Sequence, residues 1–293
     1  LLTLYAGARL VLFSPTEFAQ HPLWWLQAIS RYRATVSGGP SFAYQLCVDR
    51  ITPEERATLD LASWKIASCG AEPVDPDVLE RFSEAFAPCG FRPQAFWPSY
   101  GLAEATLVVS TKANASPPAV ITRPRLSRGQ GHVGENHTER RLVSNGQTLP
   151  GQRVVIVDPE SLTPRLPGEV GEIWVSGPSV AQGYWNRTEE TARTFEAFLR
   201  GSGEGPFLRT GDLGFLQDGE LFISGRIKDV IIIRGLNYEP HDIELTAQQS
   251  HEALQPGGGA AFSVPLGGEE RLAILHELKR THRRENPEEI TRA

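Results

Sequence analysis

The amino-acid sequence predicts an α/β protein in three parts: an α/β sheet subdomain, a small β-barrel subdomain, and the truncated start of an α+β carboxyl-terminal domain. In residues 1–110, apolar segments of strand length alternate with segments of helix length, which is typical of a largely parallel sheet. In residues 143–225, short β segments follow one another, which favours an antiparallel barrel or sandwich. A polar break at residues 225–229 then precedes a mixed pattern of strands and a helix, which predicts the third part, residues 226–293.

The first part is predicted from apolar and helix-length segments at residues 8–13, 22–32, 34–37, 42–50, 64–68 and 75–87. Pro76 and the acidic first turn around Asp77 are typical of a helix start. Ligands in open α/β sheets bind beyond the carboxyl ends of the strands. The loops after these strands are therefore the first candidates for a functional site.

The middle of the chain is predicted as a long loop followed by β structure. Residues 111–142 have no clear period, several Pro and Gly, and mixed charge, so we expect a loop or insertion with a role. The β segments that follow are predicted at residues 154–157, 172–176, 207–209, 215–216 and 221–224. Between the last two, Asp218-Gly219 predicts a type I′ hairpin turn, because these residue types tolerate positive φ values.

The third part is predicted as a small α+β unit. We expect a strand at residues 230–233, a helix at 242–250, a turn at Gly257-Gly258-Gly259, and strands at 260–264 and 273–277. Residues 286–293 are predicted as a helix start that is cut short.

Composition excludes several classes of protein. The net charge of −6 argues against a broad nucleic-acid surface, which needs clustered positive charge. The three cysteines, Cys47, Cys69 and Cys89, fit neither a disulfide framework nor a zinc site, so we expect reduced and partly buried thiols. The apolar run at residues 1–13 is interrupted by Arg9 and lacks a leader pattern. We therefore expect no membrane span, no signal peptide and a cytoplasmic location.

The sequence contains no methionine and begins with Leu1 inside that apolar run. We therefore expect the chain to be part of a longer protein.

Four segments carry candidate chemistry, and each alone is a weak signal. They are Ser68-Cys69-Gly70-Ala71-Glu72-Pro73, Trp97-Pro98-Ser99-Tyr100-Gly101-Leu102-Ala103-Glu104, Arg209-Thr210-Gly211-Asp212-Leu213-Gly214, and Gly225-Arg226-Ile227-Lys228-Asp229 followed by Arg234-Gly235. Their order and spacing resemble the adenylate-forming superfamily of acyl-CoA synthetases, peptide-synthetase adenylation domains and luciferases, over essentially the whole chain. Within that superfamily, residues 100–106, 171–185 and 234–244 resemble the fatty acyl-AMP ligases.

This resemblance implies the adenylate-forming enzyme fold. Residues 1–225 would be the carboxyl-terminal part of the large adenylation domain, and residues 226–293 the start of its small mobile domain. It also implies ATP and Mg²⁺ as cofactors and a fatty acid as substrate. In that reaction a carboxylate oxygen attacks the α-phosphorus of ATP and pyrophosphate leaves, so the protein mainly positions reactants and neutralises charge.

Glu104 is implied to be a catalytic residue that holds Mg²⁺, because a hard cation prefers carboxylate oxygen. Asp212 is implied to accept both ribose hydroxyls, and Arg226 to contact the ribose and phosphate side of the nucleotide. Lys228 matches the family's hinge position, the second implied catalytic residue. The residue patterns alone also fit an exposed acid after a turn, a hairpin-capping Asp, a surface Arg and a charged linker.

The nucleotide-binding walls are implied by two further segments. Gly70, Ala71 and Glu72 form one, and Ser99, Tyr100 and Gly101 form the other, with the Tyr100 ring offering a flat apolar face. A tyrosine buried in the core would show the same pattern. Residues 36–44 lie where the family lines its acyl tunnel, although ordinary core packing explains the same small and apolar residues.

Two departures from the wider superfamily point to the acceptor. Ala103 replaces a threonine found in many members, and residues 111–142 coincide with an insertion that disfavours release to coenzyme A in the fatty acyl-AMP ligases. We therefore expect transfer to the phosphopantetheine arm of an acyl carrier protein, by a monomer or a module of a megasynthase. An acyl-CoA synthetase and a non-catalytic nucleotide-binding remnant stay open as alternatives.

The family's phosphate loop and terminal catalytic lysine are expected outside residues 1–293. We therefore expect this piece alone to adenylate poorly or not at all.

Overall fold

The computed structural model describes residues 2–124, 139–233, 236–266, 269–282 and 290. The elements of its first part are α1 (Leu2–Tyr5), α2 (Pro15–Gln20), α3 (Pro22–Tyr32), β1 (Val36–Gly39), α4 (Ser41–Arg50), α5 (Pro53–Arg56), β2 (Ile66–Cys69), α6 (Pro76–Phe86), β3 (Phe96–Tyr100) and β4 (Ser110–Thr111). Strands β1, β2 and β3 pair in parallel. The short antiparallel strands β4 and β7 (Gln147–Thr148) extend the sheet in the order β1-β2-β3-β4-β7. The predicted α/β fold class is confirmed.

Helix α6 anchors the core of this sheet. The Asp75 carboxylate accepts the N–H of Asp77 at 2.9 Å, and Pro76 occupies the first turn, as the sequence predicted. Phe82, on the buried face of the helix, is fully enclosed by aromatic rings. These rings belong to Tyr44, Trp64, Phe86, Phe91 and Phe96. Such ring contacts pack α4 and α6 against each other and against β3.

The strand predicted at residues 8–13 is wrong. This segment has no regular secondary structure, and Leu12 is 81% exposed. An apolar run forms a strand only when its backbone finds a pairing partner, and the described residues offer it none.

The second part is built on an antiparallel sheet. Its elements are β8 (Arg153–Val157), β9 (Gly171–Ser176), α7 (Thr188–Phe195), β10 (Leu208–Gln217) and β11 (Glu220–Arg226). In the described residues the strands pair in the open order β11-β10-β9-β8. The two strands predicted at residues 207–209 and 215–216 are one continuous strand, β10. The type I′ turn is confirmed, because Asp218 and Gly219 have φ values of 53° and 79° and Gln217 lies opposite Glu220.

Residues 111–142 are only partly a loop. Their flanks form an antiparallel pair, β5 (Val120–Pro124) and β6 (Glu139–Val143), and residues 125–138 lie outside the described part. Arg141 on β6 forms ion pairs with Asp77 and Glu80 of α6. The lack of sequence period hid these strands, because the apolar residues that the ribbon buries, Ile121, Leu142 and Val143, are too few to form a regular pattern.

The third part contains β12 (Ile231–Ile233), β13 (Leu236–Tyr238), α8 (Pro240–Ser250), β14 (Leu254–Leu266) and β15 (Glu269–Leu278). The turn predicted at Gly257-Gly258-Gly259 is wrong. These glycines lie within β14, where the pairing register with β15 shifts between Leu254 and Gly259. Gly257, with φ at 70°, supplies the left-handed residue of a bulge rather than a chain reversal.

Some predicted features lie outside the described residues, namely Arg234-Gly235 and, apart from Ile290, the helix start at 286–293. The three cysteines are free and buried, as expected. In the described part of the chain, every helix is too short or too polar to cross a bilayer.

Candidate functional site

The turn after β2 lies against the end of β3. A Cβ added at Gly70 would stand 2.6 Å from the backbone oxygen of Ser99, so only glycine permits this approach. Ala71 follows with φ at 68° and is exposed. The Glu72 carboxylate accepts the N–H of Phe42 at 2.8 Å, which ties the turn to the start of α4. The first predicted wall is therefore a strained turn held beside the second.

Three predicted residues from distant parts of the chain meet at one carboxylate. The Tyr100 hydroxyl donates to Oδ2 of Asp212 at 2.7 Å, and Nε of Arg226 donates to Oδ1 at 2.8 Å. The Asp212 side chain is 9% exposed, whereas that of Arg226 is 55% exposed. Burial and the Asp212 charge hold the pKa of Tyr100 well above its ordinary value, so the phenol is a neutral donor. Asp212 is thus a nearly buried anion beside a cation that reaches solvent.

The ring of Tyr100 belongs to the core rather than to an open wall. Only 9% of the residue is exposed, and it packs in a cluster with Ala105, Val109 and Ile173. What Tyr100 offers to the site is its hydroxyl, which orients Asp212.

The backbone around Asp212 is fixed by a kink in β10. Pairing with β9 is interrupted between Arg209 and Leu213, and Gly211 has φ at 71°. The hydroxyl of Thr210 donates to the carbonyl of Ile173 at 2.7 Å and accepts the N–H of Asp212 at 3.0 Å. The kink turns the Asp212 carboxylate towards Tyr100 and Arg226.

A buried carboxylate supports this kink from β9. Glu172 is 2% exposed and accepts the indole N–H of Trp174 at 2.9 Å and the N–H of Gly211 at 3.2 Å. It also pairs with Arg209, whose Nη2 lies 2.7 Å from Oε2. Because all these donors converge on one charge, Glu172 is well compensated for its burial.

Glu104 lies on a short turn that follows β3 and Gly101. A Cβ at Gly101 would stand 1.4 Å from the carbonyl of Leu107, so the loop folds back on itself only with glycine there. The Tyr184 hydroxyl donates to Oε1 of Glu104 at 2.7 Å, and the N–H of Ala181 donates to the Glu104 backbone oxygen at 2.8 Å. The loop before α7 therefore hydrogen-bonds to both the backbone and the side chain of Glu104.

The Glu104 carboxylate fits Mg²⁺ as a single protein ligand. Among the described residues no group of three or more acidic, His or Cys side chains could hold a metal. Mg²⁺ at phosphate sites usually takes one or two carboxylates and completes its shell with phosphate and water oxygens. The donor set present here matches that mode and not a closed metal cage.

Among the described residues, no hydrogen bond or ion pair joins Lys228 to this cluster. It is exposed on the short turn Ile227–Asp229, two residues beyond Arg226. The sequence reasoning also missed Glu172 and Tyr184. Both lie within residues 171–185, which carried the family resemblance. The motif could therefore have marked them as candidates, but their contacts are seen only in the folded structure.

Comparison with known proteins defines the class of the chain. The family model for AMP-binding enzymes matches residues 1–185, and the chain belongs to this family. Within it, the chain resembles fatty acyl-AMP ligases. The crystal structure of the fatty acyl-adenylate ligase from L. pneumophila, in complex with acyl adenylate and pyrophosphate, matches with a TM-score of 0.72 at 42% identity, covering 97% of this chain and 50% of that one.

Two curated relatives point the same way. The medium-chain-fatty-acid–acyl-carrier-protein ligase JamA of Moorena producens is 51% identical over 287 residues, which are 96% of this chain and 48% of that protein. The corresponding ligase TtuA of Teredinibacter turnerae is 39% identical over 95% of this chain and 45% of its own length. The chain spans about half the length of the curated relatives it matches.

Proposed function

We propose that the protein containing this chain activates a fatty acid with ATP, forming an acyl-adenylate and pyrophosphate, and then transfers the acyl group to an acyl carrier protein. The observation that carries this proposal is the meeting of Tyr100, Asp212 and Arg226 at one carboxylate. It is supported by the likeness to a fatty acyl-adenylate ligase whose structure holds an acyl adenylate and pyrophosphate.

The first half-reaction joins the acid to the nucleotide. A fatty-acid carboxylate oxygen forms a bond to the α-phosphorus, and the bond from that phosphorus to the pyrophosphate oxygen breaks. Asp212 retains free lone pairs for ribose hydroxyls, and the exposed Arg226 guanidinium can donate to the nucleotide. Glu104 would hold Mg²⁺, which neutralises phosphate charge when it is bound.

The second half-reaction moves the acyl group to sulfur. The phosphopantetheine thiol, losing its proton, attacks the acyl carbon, and AMP leaves with the electron pair on its phosphate oxygen. A carrier protein is the favoured acceptor because Ala103 offers no hydroxyl and because two relatives are named as acyl-carrier-protein ligases. The ribbon of β5 and β6 contacts both subdomains, through Arg141 to α6 and through Arg140 to the carbonyl of Ser224.

The test is fatty-acid-dependent exchange of pyrophosphate into ATP by the full-length protein, followed by product analysis. We expect exchange with medium or long fatty acids, and acyl transfer to a holo carrier protein in preference to coenzyme A. Release mainly to coenzyme A would replace the proposal with an acyl-CoA synthetase. Failure to bind ATP would identify a non-catalytic remnant instead.

A further inference from the structure

We propose that Tyr184 is a positioning residue for Glu104, holding one carboxylate oxygen so that the other faces a divalent cation. This inference rests on the proposed function, since it concerns the cation that accompanies ATP. It adds a residue and a role that the family match does not supply. It is carried by contacts between two loops that are far apart in the sequence.

The contact itself is a hydrogen bond across eighty positions of sequence. The Tyr184 phenol donates to Oε1 of Glu104 at 2.7 Å, and no partner is recorded for Oε2 within the described residues. A phenol O–H donates and an ionised carboxylate only accepts, which fixes the direction of the hydrogen bond.

Helix α7 holds the Tyr184 ring in place. The N–H of Tyr184 donates to Oγ1 of Thr191 at 2.9 Å, and its ring meets Phe195 edge-to-face with centroids 5.1 Å apart. Gly183 has φ at 144°, and a Cβ there would stand 2.2 Å from Cγ2 of Thr191. The ring is thus oriented by packing before any ligand binds.

Two further hydrogen bonds make the loops one unit. The N–H of Ala181 donates to the Glu104 carbonyl at 2.8 Å, and the Thr106 hydroxyl donates to the Ser179 carbonyl at 2.6 Å. The Glu104 backbone is therefore fixed without Tyr184, and the phenol acts on the carboxylate alone. This separation makes the role of the phenol testable by removing one oxygen atom.

The first experiment removes the phenol oxygen in the full-length protein. We expect Tyr184→Phe to lower the rate of pyrophosphate exchange about tenfold and to raise the Mg²⁺ concentration for half-maximal rate, because a hydrogen bond to a charged group is lost. The KM for ATP at saturating Mg²⁺ and the unfolding temperature should stay near wild type. Trp185→Phe, at a neighbouring aromatic residue that is 91% exposed, is the matched control.

The second experiment needs no turnover. Mn²⁺ binding in the presence of ATP is measured from the signal of the free ion by electron paramagnetic resonance. We expect Tyr184→Phe to weaken Mn²⁺ binding, and the double variant with Glu104→Gln to be no weaker than Glu104→Gln alone. Wild-type Mn²⁺ affinity in Tyr184→Phe would overturn the inference. A double variant that binds Mn²⁺ much more weakly than Glu104→Gln alone would also overturn it. The same holds for a loss of exchange rate that is explained by a lower unfolding temperature.

The two proposals fail differently. A wild-type protein that exchanges no pyrophosphate counts against the proposed function, and Mn²⁺ binding still decides the role of Tyr184. Normal wild-type exchange with an unaffected Tyr184→Phe variant overturns the role of Tyr184 alone.

Discussion

Asp212 has a protein partner on each carboxylate oxygen and still has room for more. An ionised carboxylate offers about four acceptor positions, and Tyr100 and Arg226 each occupy one. One partner is neutral and the other is cationic, and together they stabilise the nearly buried charge of Asp212. Under the proposed function, a ribose hydroxyl would be a further donor to the same carboxylate.

Sequence patterns predicted the members of this residue cluster but not all of their contacts. The tripeptide at Asp212 and the later Arg226 were recognisable from motif order. The contact with Tyr100, 112 positions earlier, depends on how the first sheet meets the second. No local sequence pattern contains that information. The contact of the Tyr100 hydroxyl and the burial of its ring are therefore seen only in the structure.

Lys112 is a buried cation that makes stability depend on pH. Its ammonium donates to the carbonyls of Gln94 and Ser116 at 2.7 and 2.8 Å and lies 4.7 Å from the centre of the Trp97 ring. Burial lowers the pKa of Lys112 from 10.5 to about 8. Between these values the unfolded chain binds more protons than the folded one, so this residue makes stability rise with pH.

We therefore predict that the urea midpoint of the wild type increases relative to that of Lys112→Met as the pH rises from about 8 to about 10. Below about pH 8 the difference between the two urea midpoints should be constant, because Lys112 is then protonated in both the folded and the unfolded wild type. Lys65→Met, which removes an exposed lysine, is the matched control. A difference that does not change through this window would contradict the assignment.

At the scale of elements, the hairpin of β10 and β11 shows how much a turn determines. Once Asp218 and Gly219 form the turn, Gln217 must face Glu220 and the following pairs are fixed. One irregularity after Leu213 then places Arg226 opposite Asp212. The register follows from the turn, whereas the bulge that adjusts it does not.

The pattern-based predictions failed where a partner strand decides the outcome. Residues 8–13 have strand composition and no strand to pair with in the described part. The glycines at 257–259 have turn composition but lie in a strand whose partner accommodates a bulge. In both cases the pairing, which is non-local, overrides local preference.

Glu172 supports the candidate site by joining two neighbouring strands. It joins Trp174 on its own strand, β9, to Arg209 and Gly211 on β10. Gln at this position keeps the shape but loses the charge that compensates Arg209. We predict that Glu172→Gln destabilises the full-length protein by about 3 kcal/mol, since breaking a buried ion pair is costly.

The measurement for Glu172→Gln is chemical unfolding, with Glu189→Gln as the control. Glu189 forms an ion pair on α7 but its side chain is 91% exposed, so its removal should change stability little. Equal effects of the two substitutions would show that the Glu172 network contributes nothing beyond a surface ion pair.

At the scale of the molecule, the candidate site lies where two subdomains share a core. Tyr100 ends β3 of the first sheet, and Ala105 and Val109 lie between β3 and β4, yet all three pack with Ile173 and Leu208 of the second sheet. The two sheets therefore fix one another beside Tyr100, whose hydroxyl holds Asp212. The division of the chain at residue 225 remains a prediction.

The central claim is that Asp212, between Tyr100 and Arg226, holds the nucleotide. It is tested most directly by calorimetric binding of a non-hydrolysable acyl-adenylate analogue to the full-length protein. We predict that Asp212→Asn weakens binding at least about tenfold, because charge-assisted hydrogen bonds are lost. Asp218→Asn, in the hairpin turn, should bind as the wild type does. Wild-type affinity in Asp212→Asn would contradict the account.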